Sequence, residues 1–172
     1  MNDTRQRIHD HIAARPGVHF NAIVRTLDIA PGQVQYHVRK LLDEGIVLER
    51  ISGRTHYYPP GYDGWERGVL ALFRRETARE VLLYLLKDGP TTPATITADL
   101  DIARSTLEWH LDQFVAHDIL EKRYDSKNRV TIALLRPERT MELLREIRPS
   151  TPDRFVDRFV RLTDRLFETR EE

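Results

Sequence analysis

Leu27-Asp28-Ile29-Ala30-Pro31-Gly32-Gln33-Val34-Gln35-Tyr36-His37-Val38-Arg39-Lys40-Leu41-Leu42-Asp43-Glu44-Gly45-Ile46-Val47 is the stretch on which the reading of this 172-residue chain turns. Its first four residues return unchanged as Leu100-Asp101-Ile102-Ala103, and the same offset holds well beyond them. It pairs His37 with His110, Ile46 with Ile119 and Arg50 with Arg123, and it aligns Val34/Leu107, Tyr36/Trp109, Val38/Leu111, Leu41/Phe114 and Val47/Leu120 by type. Upstream, Ile8 and Ile12 fall on Val81 and Leu85. Two copies are too few for a solenoid, so the repeat predicts a duplicated small domain.

Each copy reads as three helices followed by a hairpin. In the first, Ile8, Ile12 and Ala13 form an apolar stripe on a helix from about Thr4 to Arg15, ended by Pro16-Gly17. Phe20, Ile23, Val24 and Leu27 follow at i, i+3, i+4, i+7, one face of a second helix. Pro31 suits a first helical turn, Val34, Val38, Leu41 and Leu42 give the buried side of a third helix, and Gly45 closes it. Ile46–Ile51 and Thr55–Tyr58 are β-rich runs around Ser52-Gly53-Arg54, stopped by Pro59-Pro60. The second copy gives helices near Glu76–Lys87, Pro93–Leu100 and Ser105–His117, then strands Leu120–Tyr124 and Arg129–Leu135. The expected fold class is therefore α+β and helix-rich. It divides into modules at 1–62 and 76–135, a connecting helix at 63–75 carrying Trp65, Val69, Leu72 and Phe73, and C-terminal helices over 136–172.

Helix, helix, short turn, helix, hairpin is the order of a winged helix-turn-helix. The stretch 27–47 resembles the recognition-helix signature of ArsR- and MarR-type regulators: a small or polar start, a polar-Val-polar-aromatic-His-Leu-basic-basic-Leu run, in which Val38 stands at the first Leu, then a Gly-Ile/Leu-Val exit into the wing. The doubled arrangement with a C-terminal helix resembles archaeal tandem winged-helix transcriptional regulators. That resemblance covers most of residues 4–135 and implies double-stranded DNA as the partner.

Charge decides which copy reads. Lys+Arg and Asp+Glu are both 27, so no global field holds a polyanion, and any nucleic-acid surface comes from local segregation. Residues 1–62 carry eight basic and six acidic residues (+2), whereas residues 76–135 carry seven and ten (−3). Outside its apolar face, the third helix from Pro31 through Leu42 offers Gln33, Gln35, Tyr36, Arg39 and Lys40 and no acid. Amide side chains bond adenine edges, arginine bonds guanine and lysine neutralises phosphate. Ser52, Arg54 and Thr55 of the hairpin are expected to reach the neighbouring DNA backbone. In the second copy Glu108 and Asp112 replace Gln35 and Arg39 and would face phosphates unfavourably. Arg104, Ser105 and Thr106 at that helix start, with Lys127 and Arg129 of its wing, remain candidates for auxiliary DNA contact.

The remaining patterns bound the alternatives. The absence of cysteine removes disulfides, thiolate metal sites and cysteine nucleophiles and fits a reducing cytoplasm. No apolar run approaches the roughly 20 residues of a membrane span, and the N-terminal residues lack a signal-peptide h-region, so a soluble cytoplasmic protein is expected. His37 and His110 recur in both copies, yet no His-Glu-x-x-His, Walker-type loop or Gly-x-Ser-x-Gly accompanies them. They are read as imidazoles packed beside the apolar stripe and bonded to backbone, with no catalytic, cofactor or metal role. Tyr57, Tyr58, Tyr62 and Trp65 are read as core rather than as an effector pocket. Thr151-Pro152-Asp153 opens a last helix in which Phe155, Phe159, Leu162 and Leu166, spaced 4-3-4, form a seam suited to a homodimer. A small-molecule or protein effector is a further candidate partner. A different class stays open: tandem winged helices also serve as protein-interaction modules in basal transcription and chromosome organisation, and the acidic second copy favours that reading.

Overall fold

Asn2 closes the first turn of α1 (Asp3–Ala14), its side chain accepting from the Arg5 backbone N–H at 3.3 Å, in a computed structural model that describes residues 2–146. The buried residues of α1 are Ile8, His11 and Ile12. Ala13, expected on that stripe, is exposed, because the row at i, i+3, i+4 that meets the core runs through His11 instead. After the Pro16-Gly17 turn comes an element the sequence did not announce, the two-residue strand β1 (Val18–His19). His19 then caps α2 (Phe20–Leu27), its ring accepting from the Ala22 N–H.

α2 ends at Asp28, which lies in the left-handed region (φ 52°), and Ile29 N–H returns to the Val24 carbonyl. Pro31 starts α3 (Pro31–Asp43) without a side-chain cap, its missing N–H being one the first turn leaves unpaired in any case. β2 (Val47–Ile51) and β3 (Arg54–Tyr58) pair antiparallel, and β3 also takes β1, giving the sheet order β1-β3-β2. Ser52 and Gly53 both have positive φ (49° and 78°), as a two-residue hairpin turn whose twist matches its strands requires. Arg54 therefore opens β3, paired with Ile51, rather than sitting at the tip.

The connecting segment is α4 (Gly64–Phe73), fixed by a reciprocal capping box between Asp63 and Glu66 and buried continuously from Gly68 to Phe73. The second copy follows as α5 (Glu76–Asp88), α6 (Pro93–Leu100), α7 (Arg104–Ala116), β4 (Leu120–Tyr124) and β5 (Val130–Leu134). Asp101 repeats the left-handed turn at φ 51°, with Ile102 N–H on the Thr97 carbonyl. Its third strand shrinks to one bridge, Thr91 with Ile132. α8 (Pro137–Glu146) lies on α4, where Arg139 bonds Glu66 and Glu146 accepts from the Tyr62 hydroxyl at 2.8 Å.

The fold is thus two winged helix-turn-helix units in tandem, of the α+β class. Their cores are not separate packages. Ile8, Ile12, Ile23, Val34, Val38 and Leu41 hold the first together. Ile51 and Tyr58, from the back of the first hairpin, instead join α4, α5, α7 and β5 in the second. A cut at residue 62 would expose both. Of the aromatic residues considered for an effector pocket, Tyr58, Tyr62 and Trp65 bond their neighbours: Tyr58 hydroxyl donates to the Arg67 carbonyl at 2.7 Å, Tyr62 to Glu146 and Trp65 Nε1 to the Asp118 carbonyl at 2.8 Å.

Candidate nucleic-acid interface

Burial of Val34, His37, Val38 and Leu41 fixes the rotation of α3 and turns Gln33, Gln35, Tyr36, Arg39 and Lys40 to solvent. Tyr36 is 57% exposed among these polar groups. Among the described residues, the side-chain polar atoms of Gln33, Gln35, Arg39 and Lys40 have no protein hydrogen bond or ion pair. An amide, a guanidinium and an ammonium on one helix face, none of them in an ion pair although Asp43 closes that face at its C-terminal end, are groups available to phosphate and base edges.

The equivalent face of α7 is closed on itself. Arg104 Nε bonds Glu108 at 2.8 Å, and Lys122 Nζ lies 3.2 Å from Glu108 and 3.7 Å from Asp112. On the second wing Asp125 accepts from the Lys127 and Arg129 N–H groups and pairs with the Arg129 guanidinium at 2.6 Å. Of the auxiliary candidates, Ser105, Thr106 and Lys127 remain exposed without a side-chain partner among the described residues, while Arg104 and Arg129 are engaged.

The first wing also departs from expectation at one residue. Ser52 does not project into solvent: its hydroxyl donates to Gln113 of α7, and its carbonyl accepts from Arg75 Nη2 at 2.7 Å. The Arg75 guanidinium also sits over the Trp109 ring, 5.4 Å from its centroid. The tip of the first wing is thus docked on α7, with the Ser52 hydroxyl and carbonyl both engaged within the protein. Arg54 and Thr55, the first two residues of β3, remain exposed and half-buried respectively.

Positive charge concentrates around this wing. Burial lowers the pKa of His19, and the guanidinium groups of Arg54, Arg25, Arg75 and Arg74 lower it further. The paired histidines His37 and His110 pack as expected, edge-on to Tyr36 (5.1 Å) and Trp109 (4.9 Å). The backbone bond expected for them does not form, and Nδ1 of each is buried without a partner. Among the described residues no group of three His, Asp or Glu side chains is placed to hold a metal ion, and no helix is long and apolar enough to cross a membrane. Phe155, Phe159, Leu162 and Leu166, with the helix start at Thr151, lie outside the described residues.

Comparison with known proteins follows the same division. A sequence-family model described as an N-terminal HTH domain matches residues 2–70, and one described as a helix-turn-helix domain matches residues 75–123. An uncharacterized HTH-type transcriptional regulator of Methanocaldococcus jannaschii is 28% identical over 131 residues, which cover 76% of this chain and 33% of the relative. The chain thus spans about a third of the length of the curated relative it matches. With a matching family model on each winged unit, the chain is a tandem helix-turn-helix protein that resembles an archaeal HTH-type transcriptional regulator.

Proposed function

We propose that the protein is a sequence-specific, double-stranded DNA-binding transcription regulator in which α3 reads bases and the first wing contacts the backbone. One observation carries the reading: from Pro31 through Leu42 the helix has no acid, and Gln33, Gln35, Arg39 and Lys40 present donors and acceptors with no protein partner among the described residues. Gln33, Gln35 and Arg39 take base edges, Lys40 takes phosphate, and Arg54 with Thr55 follows the adjacent backbone. The relative's name as a transcriptional regulator supports the same direction.

In this reading the second module is a buttress. Its recognition face spends its cations on Glu108 and Asp112, and Gln113 and Trp109 engage the first wing and Arg75. The second reading helix of a two-fold-symmetric site then comes from another subunit, paired through Phe155, Phe159, Leu162 and Leu166.

The test is fluorescence anisotropy on duplex DNA at several salt concentrations. Arg39→Ala should cost about 1–3 kcal/mol on the preferred sequence, and Lys40→Ala should weaken binding to all sequences and flatten the salt dependence by about one unit. An unchanged affinity and salt slope in the double variant refutes the assignment. Arg104→Ala with Thr106→Ala should cost much less, and an equal loss would return α7 to the role of a reader.

A further inference from the structure

A cleft of about 720 Å³ opens between the N-terminus of α2, the Gln35 side of α3 and the first wing, and it reaches inward to Arg74 at the end of α4. That volume lies in the range of small-molecule sites. None of the residues lining it is acidic. Its polar groups are nearly all donors: Arg25 from α2, Arg54 from β3, and Arg74, which donates to the Pro16 carbonyl at 2.7 Å and is thereby fixed. His19 is a donor too. Its Nδ1 accepts from the Ala22 N–H, so the hydrogen of the neutral ring resides on Nε2. Tyr57, 5% exposed, supplies a rigid aromatic surface among these groups.

We propose that this cleft is a binding site for a small phosphorylated molecule carrying a phosphate monoester or pyrophosphate group, and that its occupancy excludes DNA from the first wing. A phosphodiester of duplex DNA carries a single charge, whereas three guanidinium groups and an imidazole line this one cleft, a complement suited to a di- or polyanion. Burial is the main cause of the lowered His19 pKa, and Arg54, Arg25, Arg75 and Arg74 add to it, so the fields of the three cleft arginines overlap at this ring on the cleft wall. Exclusion follows from shared residues, because Gln35 and Arg54 line the cleft and also belong to the proposed DNA surface. The exclusion rests on the DNA-binding reading; the anion site itself does not.

The full chain is titrated with inorganic pyrophosphate in the absence of DNA, at constant ionic strength, with sulfate as the matched control, while calorimetry and the His19 imidazole NMR resonance are recorded. Expected are saturable binding at one site per chain, a shift of the His19 resonance, and losses of about ten-fold in affinity for Arg25→Ala and for Arg54→Ala. Lys87→Ala, which removes an exposed charge on α5, leaves the affinity unchanged. Pyrophosphate then displaces a labelled duplex at matched ionic strength. Non-saturable binding, binding indifferent to both arginine substitutions, or saturation without a His19 shift overturns the site. A His19 shift produced by duplex DNA and not by pyrophosphate makes the cleft a backbone groove and overturns the proposal equally. Because the first titration contains no DNA, its outcome is independent of whether α3 reads a sequence.

Discussion

Replacing Arg75 by alanine removes the strut between the first wing and the second recognition helix. Two contacts disappear together: the charge-assisted bond from Nη2 to the Ser52 carbonyl at 2.7 Å, and the stacking of the guanidinium over Trp109 at 5.4 Å. The first is worth about 1.5–3 kcal/mol and the second about 0.5–1 kcal/mol where solvent reaches the ring. Arg75 is partly exposed and its pKa is lowered by burial and by Arg54, so relief of that desolvation and repulsion offsets part of the loss. A net destabilisation of about 2 kcal/mol is expected, equivalent to a fall in Tm of roughly 4–8 °C for a chain of this length. Calorimetry of Arg75→Ala, Trp109→Leu and the double variant isolates the ring contact, for which a coupling of about 0.5–1 kcal/mol is expected. Hydroxyl-radical footprinting on a bound duplex should lose protection under the wing while keeping it under α3. A single variant that melts within about 1 °C of the parent, with no coupling to Trp109 and an intact wing footprint, refutes the strut.

Three further outcomes follow from the structure. Gly17 holds φ at 82°, and a Cβ there would lie 3.0 Å from the Leu70 carbonyl carbon, so Gly17→Ala should cost about 2–4 kcal/mol, read as a lower urea midpoint. Burial first, then Arg15 and Arg74, holds His11 at about 4, and burial, against the bond to the Gly17 carbonyl, does the same for His56, both below the ordinary 6.5. The unfolded chain therefore binds their protons first: their contribution is complete above pH 6.5 and is lost as pH falls toward 4, the loss at pH 5 being about 2 kcal/mol for each ring. Urea midpoints that stay level from pH 7 to about pH 5 contradict that assignment. Sedimentation of the intact chain and of a 1–150 truncation tests the Phe155/Phe159/Leu162/Leu166 seam: the intact chain should dimerise at tens of micromolar and the truncation should not.

What was legible in the sequence was what local spacing dictates. The apolar rows at i, i+3, i+4 placed α2 and α3, the repeated Leu-Asp-Ile-Ala tetrapeptide aligned the two copies, and Ser52-Gly53 marked the hairpin. β1 was hidden because two residues after a glycine show no alternation. Ala13 looked like core because it is small and apolar, while His11, a polar residue, took the buried place. Contacts between distant residues were the larger gap. Nothing near Ser52 announces Gln113, sixty-one positions away, and Arg75 reads locally as one more surface cation. The Arg104–Glu108 pair at i, i+4 was within reach, since that spacing brings opposite charges together on a helix.

Asp28 and Asp101 occupy the same left-handed turn, at φ 52° and 51°, a conformation that aspartate tolerates and branched residues resist. The tetrapeptide that carries each turn is identical in the two copies, whereas the outward residues of the following helices have diverged in charge. The joint that sets one helix against the next is thus held in common, and the face that the following helix presents is where the two copies part.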